Sequence, residues 1–236
     1  NLWPLALLSV ALFWYSLNQS KHTKQAIYTG LAYGLGYFGV GVSWVFVSMV
    51  NHGNTPWLLA SALTFLFCGG LALFYALFAG LFYRFKPHHQ YPTLLFIGLW
   101  ISLDLLRGWL LTGFPWLYLG YAGVGTFMEG YAPILGVHGV TLLLLASALL
   151  TFGAQVKLPL RLALLTGLWL AGYGLNTISW TQPSQQGPIT VTLLQADVSL
   201  ETKWSPQTLT PTLNYYFKQS YLHLESDLII WPETAI

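Results

Sequence analysis

Residues Trp57 to Tyr83 have the sequence WLLASALTFLFCGGLALFYALFAGLFY, a run without a charged side chain. A helix of about 20 apolar residues crosses the hydrocarbon core of a bilayer, so this run is long enough to span a membrane. The rest of the chain is similar, because charged residues make up 7% of its 236 residues and its mean hydropathy is +0.58. Soluble domains contain about 25% charged residues. The composition therefore predicts an integral membrane protein.

Outward from this run, five more apolar stretches approach the length of a membrane span. The six predicted spans lie at about residues 2–17, 27–50, 57–83, 92–111, 131–155 and 160–178. The second span is rich in glycine, with Gly30, Gly34, Gly36, Gly39 and Gly41. Small residues let helices approach closely in lipid, where no hydrophobic driving force brings helices together. The pattern predicts a multi-pass α-helical membrane bundle.

The basic residues of the loops indicate an orientation. Six Lys and Arg residues lie in the odd-numbered loops: Lys21, Lys24, Arg84, Lys86, Lys157 and Arg161. The second and fourth loops contain neither residue type. Because cytoplasmic loops carry an excess of Lys and Arg, the odd loops are predicted to be cytoplasmic, and the chain from residue 179 to be extracytoplasmic. The net charge of +2 does not indicate a nucleic acid partner.

The fourth loop, residues 112–130, is unusually aromatic and begins TGFPWLYLGY. Aromatic side chains commonly lie at headgroup level; a loop that enters the outer leaflet and handles lipid is an equally open interpretation. Just before it, Asp104 and Arg107 stand three residues apart in an apolar segment. Isolated charges are costly in a membrane and usually pair. A structural ion pair facing the bundle is the first interpretation, and contact with a phospholipid headgroup is the second.

The composition changes after the sixth span. Residues 179–188 contain two prolines and a glycine and are predicted to form a linker. Residues 189–195 alternate as a β-strand does, and residues 207–224 have the spacing of an amphipathic helix. The apolar run at residues 228–231 predicts a short buried strand. This order predicts a βαβ unit at the start of an α/β domain, which the 48 residues from 189 to 236 are too few to complete.

Glu233 follows the second predicted strand directly, because Pro232 cannot donate a ladder hydrogen bond. Binding and catalytic groups gather at the carboxyl ends of strands in open α/β sheets, so Glu233 is a candidate general base; a solvated loop glutamate is the alternative. Cys68 is the single cysteine, which excludes an internal disulfide and leaves no cysteine cluster for a metal. It lies in mid-span, where a thiol stays protonated and inert.

Three short motifs carry a resemblance to a known superfamily. The segments LLQAD at 193–197, Lys203-Trp204 and IIWPETAI at 229–236 resemble the start of a carbon-nitrogen hydrolase, or nitrilase-type, domain, an α-β-β-α sandwich. In combination with membrane helices and the blocks at 36–48, 106–121 and 132–137, the chain resembles the apolipoprotein N-acyltransferase family of the bacterial inner membrane.

The resemblance implies a role for Glu233 as the general base of a Glu-Lys-Cys triad whose lysine and cysteine lie beyond Ile236. The chain is therefore expected to be part of a longer protein with eight membrane helices, and to be inactive by itself. The implied residues that contact substrate are Arg107, Trp116, Tyr121 and Trp204.

The reaction implied by the resemblance needs no cofactor or metal. An acyl chain moves from a phospholipid through a thioester to the α-amine of a diacylglyceryl-cysteine apolipoprotein, with the catalytic domain on the periplasmic side of the inner membrane. Two alternatives remain at this point: a multi-pass transporter or scaffold with a non-catalytic soluble module, and a membrane-anchored amidase.

Overall fold

The computed structural model describes residues 2–88, 90–152, 156–183, 187–199, 202–203 and 205–233. Its internal contacts divide the chain into two compact units. The first is formed by Asn1–Ser48 and Thr55–Trp180, and the second by Met49–Asn54 and Thr181–Ile236.

The described chain before residue 180 is almost entirely helical. Its α-helices are α1 (Trp3–Gln19), α2 (Thr23–Gly41), α3 (Trp44–Asn51), α4 (Trp57–Phe85), α5 (Pro92–Trp109), α6 (Ala132–Phe152) and α7 (Leu158–Asn176). Short 3₁₀ turns follow α4 and α5, at Lys86–His88 and Leu110–Thr112, and two more, Leu119–Gly123 and Phe127–Tyr131, lie in the connection to α6.

Four helical segments of the described chain are long and apolar enough to cross a bilayer: Trp57–His88, Pro92–Thr112, Phe127–Phe152 and Leu158–Asn176. The number is five if α2 and α3 together form one span. α1, with 17 residues, is not among these, so its membrane crossing stays a prediction. The helices support the predicted membrane bundle.

Two predicted spans differ in shape from a single helix. The span at 27–50 is broken between α2 and α3, whose axes differ by 46°, because Val42 leaves the helical conformation with φ −122 and ψ 0. Helix α6 is interrupted at Gly136, where φ is 63. The end of the predicted span 131–155 includes residues 153–155, which lie outside the described residues.

Helices α2 and α4 pack against each other through two of the five glycines. A methyl group at Gly30 would overlap the main-chain oxygen of Tyr75, and one at Gly34 would lie 2.8 Å from the Cα of Ala72. The predicted close approach is therefore confirmed at these two positions. A methyl group at Gly36 would meet no atom of another helix within 4 Å, so this glycine does not contribute to the contact.

Aromatic side chains fill the core that α1, α2, α4 and α5 share. The ring of Phe13 on α1 stacks on Tyr33 of α2 with centroids 4.1 Å apart. Phe78 of α4 meets Phe96 of α5 edge to face at 4.8 Å. Such pairs contribute about 0.5–1.5 kcal/mol beyond their buried area. This core lies directly along the buried face of α5 that continues to Asp104.

The second unit contains a small βαβ arrangement. Strands β1 (Val191–Leu193) and β2 (Leu228–Ile230) pair in parallel, with Val191 opposite Leu228. Helix α8 (Pro206–Leu222) connects them. Parallel strands need such a crossover connection, so the predicted β, helix, β order is confirmed.

Two details of the predicted strands are wrong. The first strand is shorter than the predicted 189–195, because its pairing stops at Leu193. The second was expected to be buried, but Leu228 and Ile230 are 45% and 42% exposed. The exposure of β2 has a physical reason: the described residues contain a sheet of two strands, and a third strand or layer that would cover its faces is not among them. A nitrilase-type domain is not established by this sheet.

Candidate functional site

One face of α5 is buried along its length. Phe96, Trp100, Asp104 and Arg107 are its buried residues, and spacings of four and three place them on the same side of a helix. Asp104 and Arg107 are 5% and 3% exposed. Arg107 Nη2 donates a hydrogen bond to Asp104 Oδ1 at 3.0 Å. The predicted ion pair that faces the bundle is confirmed.

Arg107 also binds the chain that follows its own helix. Its Nη1 donates to the main-chain oxygen of Phe114 at 3.0 Å and to that of Trp116 at 2.5 Å. Its Cζ lies 4.6 Å from the ring centroid of Tyr118 and 5.4 Å from that of Phe38, a distance at which the cation is attracted to the ring face. The guanidinium therefore connects α5 to the first half of the fourth loop.

Residues 110–117, which we call the anchored loop, have an unusual backbone. Leu111, Thr112 and Leu117 have φ values of 53, 73 and 60, in the left-handed region that residues other than glycine rarely adopt. Such conformations persist only where the surroundings determine them. The Tyr37 hydroxyl supplies one such restraint, because it donates to the Leu117 carbonyl at 2.6 Å. The conformation is set by tertiary contacts.

The fourth loop also packs on α6. The amide of Gly120 donates to the buried Thr141 hydroxyl at 2.8 Å, and the Tyr118 ring lies 4.8 Å from that of His138. Burial raises the pKa of the Tyr118 phenol, while the charge of Arg107 opposes that rise. The phenol is therefore neutral at physiological pH, and Asp104 supplies the counter-charge to Arg107.

Two apolar cavities use the anchored loop as a wall. The first, of about 540 Å³, is lined on the loop side by Pro115, Trp116 and Leu117 and on the helix side by residues that include Tyr33 and Tyr37. The second, of about 610 Å³, is lined by residues 110–114, by Leu106 and Arg107, and by apolar side chains of α4. Both volumes are in the range of about 300–1,000 Å³ that ligand pockets occupy.

The structure separates the predicted substrate contacts into different places. Trp116 and Tyr121 line the first cavity, and each is 51% exposed. Arg107 lines the second cavity, and its contact with Trp116 is the hydrogen bond to the main-chain oxygen of that residue. Trp204 lies outside the described residues.

Sequence reasoning missed Tyr37 and Tyr118 as parts of this arrangement. Tyr37 lies in an apolar span and binds a carbonyl 80 residues further along the chain. A tyrosine of a glycine-rich helix carries no signal for a partner at such a distance. Tyr118 belongs to an aromatic run in which each ring looks equivalent in sequence.

Glu233 belongs to the second unit and stands in an exposed turn after β2. Because β1 and β2 are parallel, their carboxyl ends lie at one edge of the sheet. Gln195 follows β1 at this edge, and Glu233 follows β2. The side chain of Trp231, two residues before Glu233, stacks on Tyr216 of α8 with ring centroids 5.0 Å apart. Glu233 has the expected position at a strand end, and its catalytic role stays a prediction.

Comparison with known proteins identifies similar sequences over the whole chain. Residues 1–150 match the family model described as the apolipoprotein N-acyltransferase N-terminal domain. The chain is 37% identical over 245 residues to the apolipoprotein N-acyltransferase of Pseudomonas syringae pv. tomato, with 100% of this chain and 48% of that protein covered.

Relatives from other bacteria match to a similar extent. The proteins of the same name from Photobacterium profundum and Vibrio cholerae are 38% and 36% identical, over 100% and 99% of this chain. The chain covers 46% and 47% of their lengths. It therefore spans about half the length of the curated relatives that it matches.

Proposed function

Because the chain belongs to the apolipoprotein N-acyltransferase family, we propose that it is the N-terminal part of an enzyme that completes lipoprotein maturation by moving a fatty acyl chain from a phospholipid to an apolipoprotein. The observation that carries the proposal is the match over 100% of the chain to proteins of that name. Such an enzyme requires apolar helices because both of its reactants are membrane lipids. It also requires a general base, which a carboxylate at a strand end can supply.

In the proposed first step, Glu233 removes the proton from a cysteine in the other half of the protein. The thiolate attacks the ester carbonyl of the phospholipid, a thioester forms as the ester bond breaks, and Glu233 passes the proton to the oxygen of the leaving lysophospholipid. A thiol is a weak nucleophile until it is deprotonated, so a nearby base accelerates this attack. A lysine of the same triad stabilises the oxyanion of the tetrahedral intermediate.

In the second step, the α-amine of the diacylglyceryl-cysteine attacks the thioester. An amide bond forms as the thioester bond breaks, and Glu233 transfers the proton lost by the amine to the leaving cysteine. Because the acyl chain waits on the enzyme between the two steps, one site serves two lipids in turn. The catalytic domain is proposed to be periplasmic, in agreement with the distribution of Lys and Arg in the loops.

The described cavities suggest where apolar chains bind. Trp116 and Tyr121 are proposed to contact an acyl chain, since both line a largely apolar cavity of about 540 Å³. Arg107 lines the second cavity, and Trp204 is proposed as a further contact on the family resemblance alone.

Residues 1–236 are proposed to be inactive without the rest of the protein. Cys68 cannot act as the nucleophile, because it is 5% exposed and lies within α4, where its Sγ contacts the carbonyl oxygen of Phe38 at 3.5 Å. The family resemblance implies that the nucleophile is a cysteine in the other half of the protein.

The test replaces Glu233 in the full-length protein. Glu233→Gln keeps the size of the side chain and removes its basicity, so conversion of diacylated to triacylated lipoprotein should stop. Mass spectrometry detects conversion as the gain of one fatty acyl group. Glu225→Gln is the matched control, since Glu225 is an exposed carboxylate of the same unit and should be dispensable. Unchanged conversion by Glu233→Gln removes Glu233 from the mechanism.

A further inference from the structure

The side chain of Arg107 makes three hydrogen bonds to other groups of the described chain. They reach the Asp104 carboxylate and the main-chain oxygens of Phe114 and Trp116. The residue is 3% exposed, and aromatic rings lie near its guanidinium carbon. This environment suits a cation that organises protein groups better than one that must bind a charged ligand.

We propose that Arg107 is a positioning residue: it holds the anchored loop as the common wall of two apolar cavities and does not contact a lipid headgroup. The kinetic consequence of this inference rests on the proposed function, because it is the proposed function that assigns acyl chains to the cavities. The arrangement of the loop itself follows from contacts in the bundle.

Three carbonyl groups of the anchored loop are fixed by side chains from two helices. Arg107 of α5 holds those of Phe114 and Trp116, and Tyr37 of α2 holds that of Leu117. The loop's own backbone adds one return contact, from the Phe114 amide to the Arg107 carbonyl at 2.8 Å. The left-handed conformations of the loop depend on these contacts, since nothing in local preference stabilises them.

Position 107 requires an arginine and not merely a cation. An arginine presents several donors in a rigid planar fork, so one side chain holds a carboxylate and two carbonyls at once. A lysine has its donors on one compact ammonium and lacks this geometry. Asp104 supplies the counter-charge that an arginine needs in an apolar span.

A loop that is held from both sides shapes two cavities together. Trp116 and Leu117 face the first cavity, and Leu111 and Phe114 face the second. If the loop is released, both walls move, and the fit of an apolar chain is lost whichever headgroup the chain carries. A residue that contacts the headgroup would instead affect donors according to headgroup charge.

Amide hydrogen exchange of the full-length protein tests the anchoring directly. The double variant Asp104→Asn/Arg107→Met removes both charges, so the bundle keeps no unpaired charge at this point. Tyr37→Phe removes the second restraint with little change of shape. Both should speed exchange in residues 110–117 by about tenfold or more, because fixed contacts of the loop are lost.

Tyr83→Phe is the matched control for the exchange experiment. Its hydroxyl also donates to a main-chain carbonyl, that of Lys21 at 2.7 Å, at a different loop of the bundle. Exchange of residues 110–117 should be unchanged in this variant. Equal acceleration in the control, or unchanged exchange in the double variant, overturns the anchoring role.

Kinetics distinguish positioning from headgroup contact. Two donors with identical acyl chains are compared, zwitterionic phosphatidylethanolamine and anionic phosphatidylglycerol. Both the double variant and Tyr37→Phe should raise KM several-fold by the same factor for the two donors, with a smaller change in kcat. An increase limited to one headgroup and absent from Tyr37→Phe overturns the proposal.

The exchange and kinetic experiments distinguish failure of the positioning role from failure of the proposed function. If the full-length protein transfers no acyl chain from either donor, the proposed function is wrong, while the exchange result still decides whether Arg107 and Tyr37 hold the loop. If acyl transfer is normal and exchange is unaffected by the variants, the proposed function stands and the positioning role is wrong.

Discussion

The indole Nε1 of Trp231 donates a hydrogen bond to the hydroxyl of Ser220 at 3.0 Å. Trp231 follows strand β2 and Ser220 belongs to α8, so this bond joins the end of the strand to the crossover helix. The same indole also meets the ring of Phe217 edge to face, with centroids 5.7 Å apart. The chain just before Glu233 is thus held by α8.

Replacement of Trp231 should weaken this restraint. Trp231→Ala removes the ring contacts and the hydrogen bond, and should destabilise the second unit by about 2–4 kcal/mol. This cost is at or below the usual cost of truncating a buried tryptophan, because the Trp231 side chain is partly exposed. Denaturant unfolding of the full-length protein measures the change. Trp231→Phe keeps an aromatic ring and should cost about half as much or less. Equal stability of Trp231→Ala and the wild type would contradict this role.

The glycines of α2 should differ sharply in their tolerance of a methyl group. Gly30→Ala should destabilise the bundle by about 1–3 kcal/mol, because the methyl overlaps the main chain of α4 at Tyr75 and forces the helices apart. Gly36→Ala, with open space around the new methyl, should be neutral or stabilising by up to about 1 kcal/mol, since alanine favours the helix.

Thermal unfolding of the full-length protein in detergent compares the two glycine variants. Because both changes add the same methyl group to the same helix, intrinsic helix propensity affects them alike. A similar loss of stability in both variants would show that close packing against α4 is not the reason for glycine at position 30.

The predicted orientation can be measured with introduced cysteines. Gln182 is exposed after the last helix of the bundle, and Lys24 is exposed in the first turn of α2. A membrane-impermeant thiol reagent added to intact cells should label Gln182→Cys and leave Lys24→Cys unlabelled, with both labelled after the cells are opened. The reverse pattern would place Glu233 in the cytoplasm and contradict the proposed access to its substrates.

The proposed two-step route predicts a detectable intermediate. When the full-length enzyme receives phospholipid but no apolipoprotein, an acyl group should accumulate on the protein as a thioester. Hydroxylamine should release it at neutral pH, because thioesters are far more reactive than amides toward this nucleophile. Glu233→Gln should not accumulate it. If no hydroxylamine-labile acyl group forms on the wild type, direct transfer between the two lipids replaces the two-step mechanism.

Much of the architecture could be predicted from local sequence. Helices α4, α5 and α7 lie within two residues of the predicted spans at 57–83, 92–111 and 160–178, because length and apolar composition are properties of the segment itself. The crossover helix and both strands were also predicted. The break between α2 and α3 was not, because the run of apolar residues continues through Val42 without a change in composition.

The candidate site was only partly predictable. The ion pair of Asp104 and Arg107 follows from spacing on one helix, which the sequence displays. The carbonyls of Phe114 and Trp116 as partners of Arg107 do not follow, since they depend on left-handed residues in a loop without a regular pattern. Trp116 and Arg107 were both expected to contact substrate, and the sequence did not show that they line different cavities.

The sequence by itself determined that the chain crosses a membrane, that a βαβ unit follows the bundle, and that Glu233 stands at a strand end. Each of these depends on the order and polarity of neighbouring residues, which the chain displays directly. Only the tertiary structure decided which glycines meet another helix, that Tyr37 and Arg107 hold one loop between them, and how that loop divides two cavities. Those outcomes depend on distances between segments far apart in the chain, and such distances are set by packing.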